Sequence, residues 1–218
     1  MTKEIILISN PRVLQIPIKD NNDPLVDIRE YPQFKVDTRK SKSSDSYFKL
    51  RSSIVSMLLK ANQFLPDGIK FLIIEGYRPL SLQTRYFNNY SAKLKQTHPD
   101  WDDEQVYREA SKYVAPPDVI PPHTTGGAVD LTLVDSAGNE LDMGTEINES
   151  PEESLGKVYT NSQDISEVAK TNRQLLIDAM AKAGFVNYPY EWWHWSYGDR
   201  YWAYITNQQI ALFGSMEN

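Results

Sequence analysis

Hydrophobic positions along the chain change their period several times, and each change marks an element. From Asp45 to Phe64, the residues Phe48, Ile54, Leu58, Ala61 and Phe64 recur at helical spacing. That pattern predicts a long amphipathic helix, stopped by the Pro66-Asp67-Gly68 turn. Phe71 to Ile74 is a compact apolar run and reads as a buried strand. Ser81 to Leu94 and Asp102 to Val114 read as two further helices, the second capped by Asp102 or Asp103 and stopped by Pro116-Pro117. Ala128 to Val134 carries β-branched Val129, Thr132 and Val134 and reads as a strand. Ser166 to Ala183 reads as a helix with Gly184 at its C-cap, and Phe185 to Tyr197 as an aromatic core strand. Helices and strands do not alternate regularly. The expected class is α+β, a single domain with a central antiparallel sheet flanked by helices.

Two segments fall outside these elements. Residues 1–43 are polar and irregular, with short β-like pieces, and are expected to wrap the body of the domain. Between Glu140 and Glu167 there are eight acidic residues against the single Lys157, so 140–165 reads as a solvated, lid-like loop.

Composition narrows the chemistry. A length of 218 residues suits one domain over 1–218, and 40% hydrophobic residues are ample for its core. A net charge of -6 argues against a broad nucleic-acid surface, which needs a basic face. No apolar run is long enough for a spanning helix, and Ile5 to Ile8 is too short for a signal peptide's apolar region. The expectation is a cytoplasmic protein, or a periplasmic one where a leader has been removed. There is no cysteine, so disulfides, thiolate metal sites and cysteine nucleophiles are all excluded. A metal site must use His, Asp and Glu, and the histidines are His98, His123 and His194.

In Pro-Pro-His123-Thr-Thr-Gly-Gly-Ala-Val-Asp130, a loop histidine can fold over the start of the strand that holds Asp130. Asp130 lies between Val129 and Leu131, where a buried carboxylate needs a cation or several donors. The plainer reading makes Asp130 a turn cap and His123 a surface residue. In Tyr-Glu191-Trp-Trp-His194-Trp, core packing accounts for the tryptophans but leaves Glu191 and His194 unexplained. Three residues apart on a regular strand they would face opposite ways, so a bend is expected between them. Two histidines and one carboxylate leave an open position on zinc, as catalysis requires, and a nearby unligated Glu can act as base. Iron is the other candidate for such a set, but His-x6-Asp differs from the close pair usual in iron oxygenases. Arg78, in Glu75-Gly-Tyr-Arg-Pro, can stabilise negative charge on an intermediate or form an ordinary pair with Glu75. His98 lies in Gln-Thr-His-Pro-Asp, an exposed loop outside the site.

Taken in order, Gly-Tyr-Arg78-Pro, His123-x6-Asp130, the Asp142-Met-Gly-Thr145 segment and Glu191-Trp-Trp-His194 resemble the D-alanyl-D-alanine dipeptidases of the M15 metallopeptidases, over roughly residues 45 to 205. The resemblance implies one zinc ion on His123, Asp130 and His194, with Glu191 as general base and Arg78 stabilising the transition state. It implies the fold shared with D,D-carboxypeptidases and the Hedgehog signalling domain. The implied substrate is a small dipeptide, D-Ala-D-Ala, in a closed cavity. Where the family has Ser-x-His, this chain has Pro121, which offers neither a hydroxyl nor an N–H. Thr124 and Thr125 are the nearest hydroxyls to stand in, and the preferred dipeptide stays open. The alternatives are a D,D- or L,D-carboxypeptidase or endopeptidase on peptidoglycan stem peptides, or a non-catalytic zinc module. Glu191 speaks against the last, because zinc binding alone does not need it.

Overall fold

The computed structural model describes residues 5–39 and 45–217. Its elements are α1 (Pro11–Leu14), β1 (Leu25–Asp27), β2 (Lys35–Val36), β3 (Lys49–Arg51), α2 (Ser52–Asn62), β4 (Lys70–Glu75), α3 (Leu80–Thr97), α4 (Asp103–Ala110), β5 (Ala128–Val134), α5 (Glu167–Ala183), β6 (Val186–Asn187), β7 (His194–Ser196) and α6 (Arg200–Ile205). Short 3-10 turns lie at Ile28–Glu30, Asp45–Phe48 and Pro122–Thr125. The parts of the expected N-terminal wrap at 1–4 and 40–43 lie outside the described residues.

One five-stranded sheet, ordered β2-β4-β5-β7-β6, organises the α+β fold. Its inner pairs are antiparallel, and only the two-residue β2 joins β4 in parallel at the edge. All seven residues of β5 are buried, so both faces of the sheet are covered at its centre. Val129, Leu131 and Leu133 point to one face and join a core cluster with Ile54 and Leu58 of α2 and Leu176 and Met180 of α5. The two-residue period therefore sends Asp130 to the other face.

The next strand departs from this alternation at one place. Ile73 of β4 pairs with Leu131, yet Glu75 pairs with Asp130 two residues later, so Ile74 is the extra residue of a β-bulge. Without the bulge Glu75 would share the core face of Phe71 and Ile73. With it, Glu75 lies beside Asp130, and Asp130 pairs with His194 of β7 on its other side. A row Glu75–Asp130–His194 crosses the sheet.

The boundaries of three expected elements move, each for a tertiary reason. The helix expected from Asp45 begins only at Ser52. Lys49–Arg51 is extended instead and pairs with β1, and Asp23 supplies the missing cap by accepting from the Ser53 N–H at 2.9 Å. The helix expected to reach Val114 ends at Ala110, where i→i+3 bonds from Lys112 and Tyr113 tighten the chain; Asp102 caps its start as expected, accepting from Gln105 N–H at 2.7 Å. The single strand expected over Phe185 to Tyr197 is a hairpin of β6 and β7, whose connection the Asn187 amide braces by donating to the carbonyls of Glu191 and His194. By contrast β5 matches its expected span, and α5 runs from the Ser166 cap to a left-handed Gly184, φ 101°. No helix among the described residues is long and apolar enough to cross a membrane.

Arg51, 1% exposed, ties the periphery to the centre. Its Nε donates to the Thr125 carbonyl at 2.6 Å, and its Nη atoms pair with Asp20 at 2.6 and 3.0 Å and reach the Gly214 carbonyl at 3.2 Å. One guanidinium thus joins the N-terminal segment, the turn after His123 and the C-terminal segment. Replacing Arg51 by Met removes the guanidinium from Asp20 and from the carbonyls of Asp23, Thr125 and Gly214, a loss of about 3 kcal/mol. Urea denaturation should show this drop, with Arg51→Lys recovering less than half because a lysine lacks the planar fork. A change below about 1 kcal/mol would contradict this role.

Candidate active site

His123 is held from three directions. It sits in the 3-10 turn Pro122–Thr125, where Pro121 (φ -65°) and Pro122 restrict the entering chain and Gly126 leaves it in the left-handed region at φ 71°. Gly127 lets the backbone pass close to the Tyr197 carbonyl, which a Cβ would approach to 2.6 Å. The His123 carbonyl accepts from the Arg78 N–H at 3.1 Å, and its ring Nδ1 lies 2.7 Å from the Gly76 carbonyl. A carbonyl only accepts, so Nδ1 carries the proton and the lone pair is on Nε2.

That lone pair lies beside two other potential metal-ligating atoms. His123 Nε2 lies 3.2 Å from Asp130 Oδ1 and 3.1 Å from His194 Nδ1, and the last two atoms are 3.0 Å apart. All three side chains are buried. A tetrahedral zinc with ligands at about 2.0–2.1 Å has edges of roughly 3.3 Å, so this triangle fits such an ion closely. Its electrostatics fit as well. Burial alone would raise the Asp130 carboxyl, but the neighbouring His123 and His194 rings outweigh it and hold the group well below the usual carboxylate range. Burial pushes His194 down and favours the neutral ring that a metal requires. The set offers one carboxylate and two imidazoles to a cation.

The bend expected between Glu191 and His194 is present. Glu191 lies in the hairpin connection, its carbonyl accepting from the His194 N–H at 3.2 Å, and its Oε2 stands 3.9 Å from His194 Nδ1. Both expected roles for Arg78 are compatible with its position. Its Nε donates to Glu75 at 2.5 Å and Nη1 to Gln83 at 2.8 Å, while the side chain also lines the cavity. Burial works against the guanidinium's charge, but Glu75 outweighs it, so Arg78 remains a cation.

These groups line one wall of a cavity of about 480 Å³. Tyr90, Tyr113 and Tyr188 form much of the remainder, and Asn148, Glu149 and Ser150 of the acidic stretch close one side. The expectation for Thr124 and Thr125 is overturned. Their hydroxyls donate back to the Pro121 and Pro122 carbonyls, each at 2.7 Å, and neither residue lines the cavity. The 3-10 turn consumes them, and Pro121 presents only its ring there. His98 ends α3, stacked 3.9 Å from Trp101, away from the cavity as expected. Sequence reasoning missed Gln83, which joins Arg78 to the Ala115 carbonyl. Its only signal was a polar residue at a buried helix position, one turn after the Arg-Pro pair.

The chain is similar to known proteins. The M15 peptidase family model described as D-ala-D-ala dipeptidase matches residues 46–215. A D-alanyl-D-alanine dipeptidase of Synechocystis sp. is 31% identical over 241 aligned positions, covering 94% of this chain and 96% of its own. One from Escherichia coli is 34% identical over 128 positions, 59% of this chain and 55% of its own. Among solved structures, the vancomycin resistance D,D-pentapeptidase VanY in complex with Zn(II) has a TM-score of 0.47 and 17% identity, over 95% of this chain and 94% of its own. By the extent of the family match and the full-length relative, the chain belongs to the D-Ala-D-Ala dipeptidase family of M15 metallopeptidases.

Proposed function

We propose that the chain is a zinc dipeptidase that hydrolyses D-Ala-D-Ala or a related D-amino-acid dipeptide, with a single zinc ion on His123, Asp130 and His194. The observation that carries the reading is the convergence of three ligand atoms within 3.2 Å of one another in a buried pocket. It is supported by a relative that bears the dipeptidase name and matches 94% of this chain. When bound there, zinc polarises the scissile carbonyl and acidifies a water.

The chain's own groups perform the remaining tasks. Glu191, 3.9 Å from a ligand nitrogen but not part of the triangle, takes the proton of the attacking water and passes it to the leaving amine. Arg78 faces the negative charge that develops on the carbonyl oxygen, and its bonds to Glu75 and Gln83 fix the guanidinium in advance. A cavity of about 480 Å³ suits a dipeptide better than a stem-peptide strand. We read 1–218 as one peptidase domain, with 1–43 as its wrap and 140–165 as the cover of that cavity.

Glu191→Gln should keep zinc binding in chelator competition while its kcat falls at least a hundredfold, because proton transfer by a placed side chain contributes about 10²–10⁴. Wild-type turnover in that variant would remove Glu191 from the mechanism. Arg78→Ala should lower kcat about 10²–10³-fold with a smaller change in KM, as loss of a charge-stabilising donor does. In a substrate panel, D-Ala-D-Ala should be cleaved and a stem pentapeptide left intact, with all turnover lost after prolonged chelation. Cleavage of the pentapeptide alone would favour the carboxypeptidase reading.

A further inference from the structure

Among the described residues only four buried side-chain polar atoms lack a hydrogen-bond partner, and two of them lie five residues apart, one in β7 and one at the start of α6: His194 Nε2 and Asp199 Oδ2. The other two, on Asn62 and Ser91, belong to α2 and α3, outside the site. Buried polar atoms are rarely left unpaired, because each costs roughly 1–3 kcal/mol. Two complementary ones on neighbouring segments call for a common explanation.

Asp199 is placed by the turn that follows β7. Gly198, at φ 78°, packs against the Phe213 ring so closely that a Cβ there would come within 2.4 Å of it. The chain reverses at that glycine and starts α6. Asp199 caps the helix, with Oδ1 accepting from the Trp202 N–H at 2.7 Å, which fixes one carboxylate oxygen and leaves the other. The carboxylate also interacts with Ser196, which shares a face of β7 with His194, two residues away. His194 and Asp199 act on each other's charge, and both are buried, at 5% and 1% exposure. On the other side of the ring, Nδ1 is directed at Asp130. With Nδ1 used as a ligand, the ring proton is on Nε2, and it needs an acceptor.

We propose that Asp199 is a positioning residue for the metal centre, its Oδ2 accepting the Nε2 proton of His194. Carboxylates set behind a ligand histidine fix its tautomer and orientation and make it a stronger ligand. In the structure neither atom makes a hydrogen bond. A bridging water, or a turn of either side chain, completes the link. The same carboxylate therefore has two duties: one oxygen starts α6, and the other holds the ring of His194.

The two duties separate experimentally, since Asn and Ser cap helices about as well as Asp. Asp199→Asn and Asp199→Ser should keep the thermal midpoint of the metal-free protein near wild type. Both should bind zinc 10–100-fold more weakly in competition with a chromophoric chelator. A merely structural Asp199 would instead shift the midpoint and leave zinc affinity unchanged in whichever variant folds. Either folded variant holding zinc as tightly as wild type would overturn the proposal. A measurement on the wild type covers the case in which both variants misfold. The zinc-loaded protein should show a slowly exchanging imidazole Nε2 proton with nuclear Overhauser contacts to Asp199 or Ser196, and its absence would also overturn the proposal. The inference rests on His194 being a zinc ligand. If the wild-type protein failed to bind zinc, that reading would fall, whereas wild-type binding with unaffected variants would remove Asp199 alone.

Discussion

Asp130 sits within a strand whose seven residues are all buried, and a carboxylate enclosed there without compensation would cost several kcal/mol. Much of the surrounding structure meets that constraint. His123 arrives from the preceding turn and His194 from the adjacent strand, and each places a ring nitrogen within 3.2 Å of one carboxylate oxygen. The rings do not neutralise the site between themselves, because His123 spends its proton on the Gly76 carbonyl. What remains is a triangle of lone pairs that a divalent cation completes. The chemistry of the site and the stability of its sheet are thus one problem with one solution.

Geometry, more than residue choice, brings the remaining groups to that triangle. The bulge at Ile74 turns Glu75 out of the core and beside Asp130, where it fixes Arg78. The Asn187 amide holds the hairpin connection so that Glu191 and His194 share one cavity. Arg51 joins the Thr125 carbonyl, next to His123, to segments from both ends of the chain. The site is therefore tied to the sheet on one side and to the N- and C-terminal segments on the other. If Asp199 supports His194 as proposed, each of the three ligands has a second group behind it or beside it.

Much of this was legible in the residues alone. With no cysteine and only three histidines, few combinations could hold a metal, and Asp130 inside an apolar run announced a buried charge. Glu191 and His194 stood out because tryptophan packing left them unexplained. Strand β5 and helix α5 were readable because local periodicity and a cap residue at each end of the helix agree with the tertiary outcome. The start of α2 was not readable, since its cap is Asp23, far back in the chain. The hairpin of β6 and β7 was hidden in a continuous aromatic run, and the hydroxyls of Thr124 and Thr125 looked available until the turn claimed them.

The sequence by itself therefore determined the candidate metal-binding residues and the class of fold, because those follow from residue type and local period. The tertiary structure alone decided which atoms meet. The tautomer of His123 and the turning of Glu75 by a one-residue bulge depend on hydrogen bonds and strand registers between distant segments, and no local pattern records them.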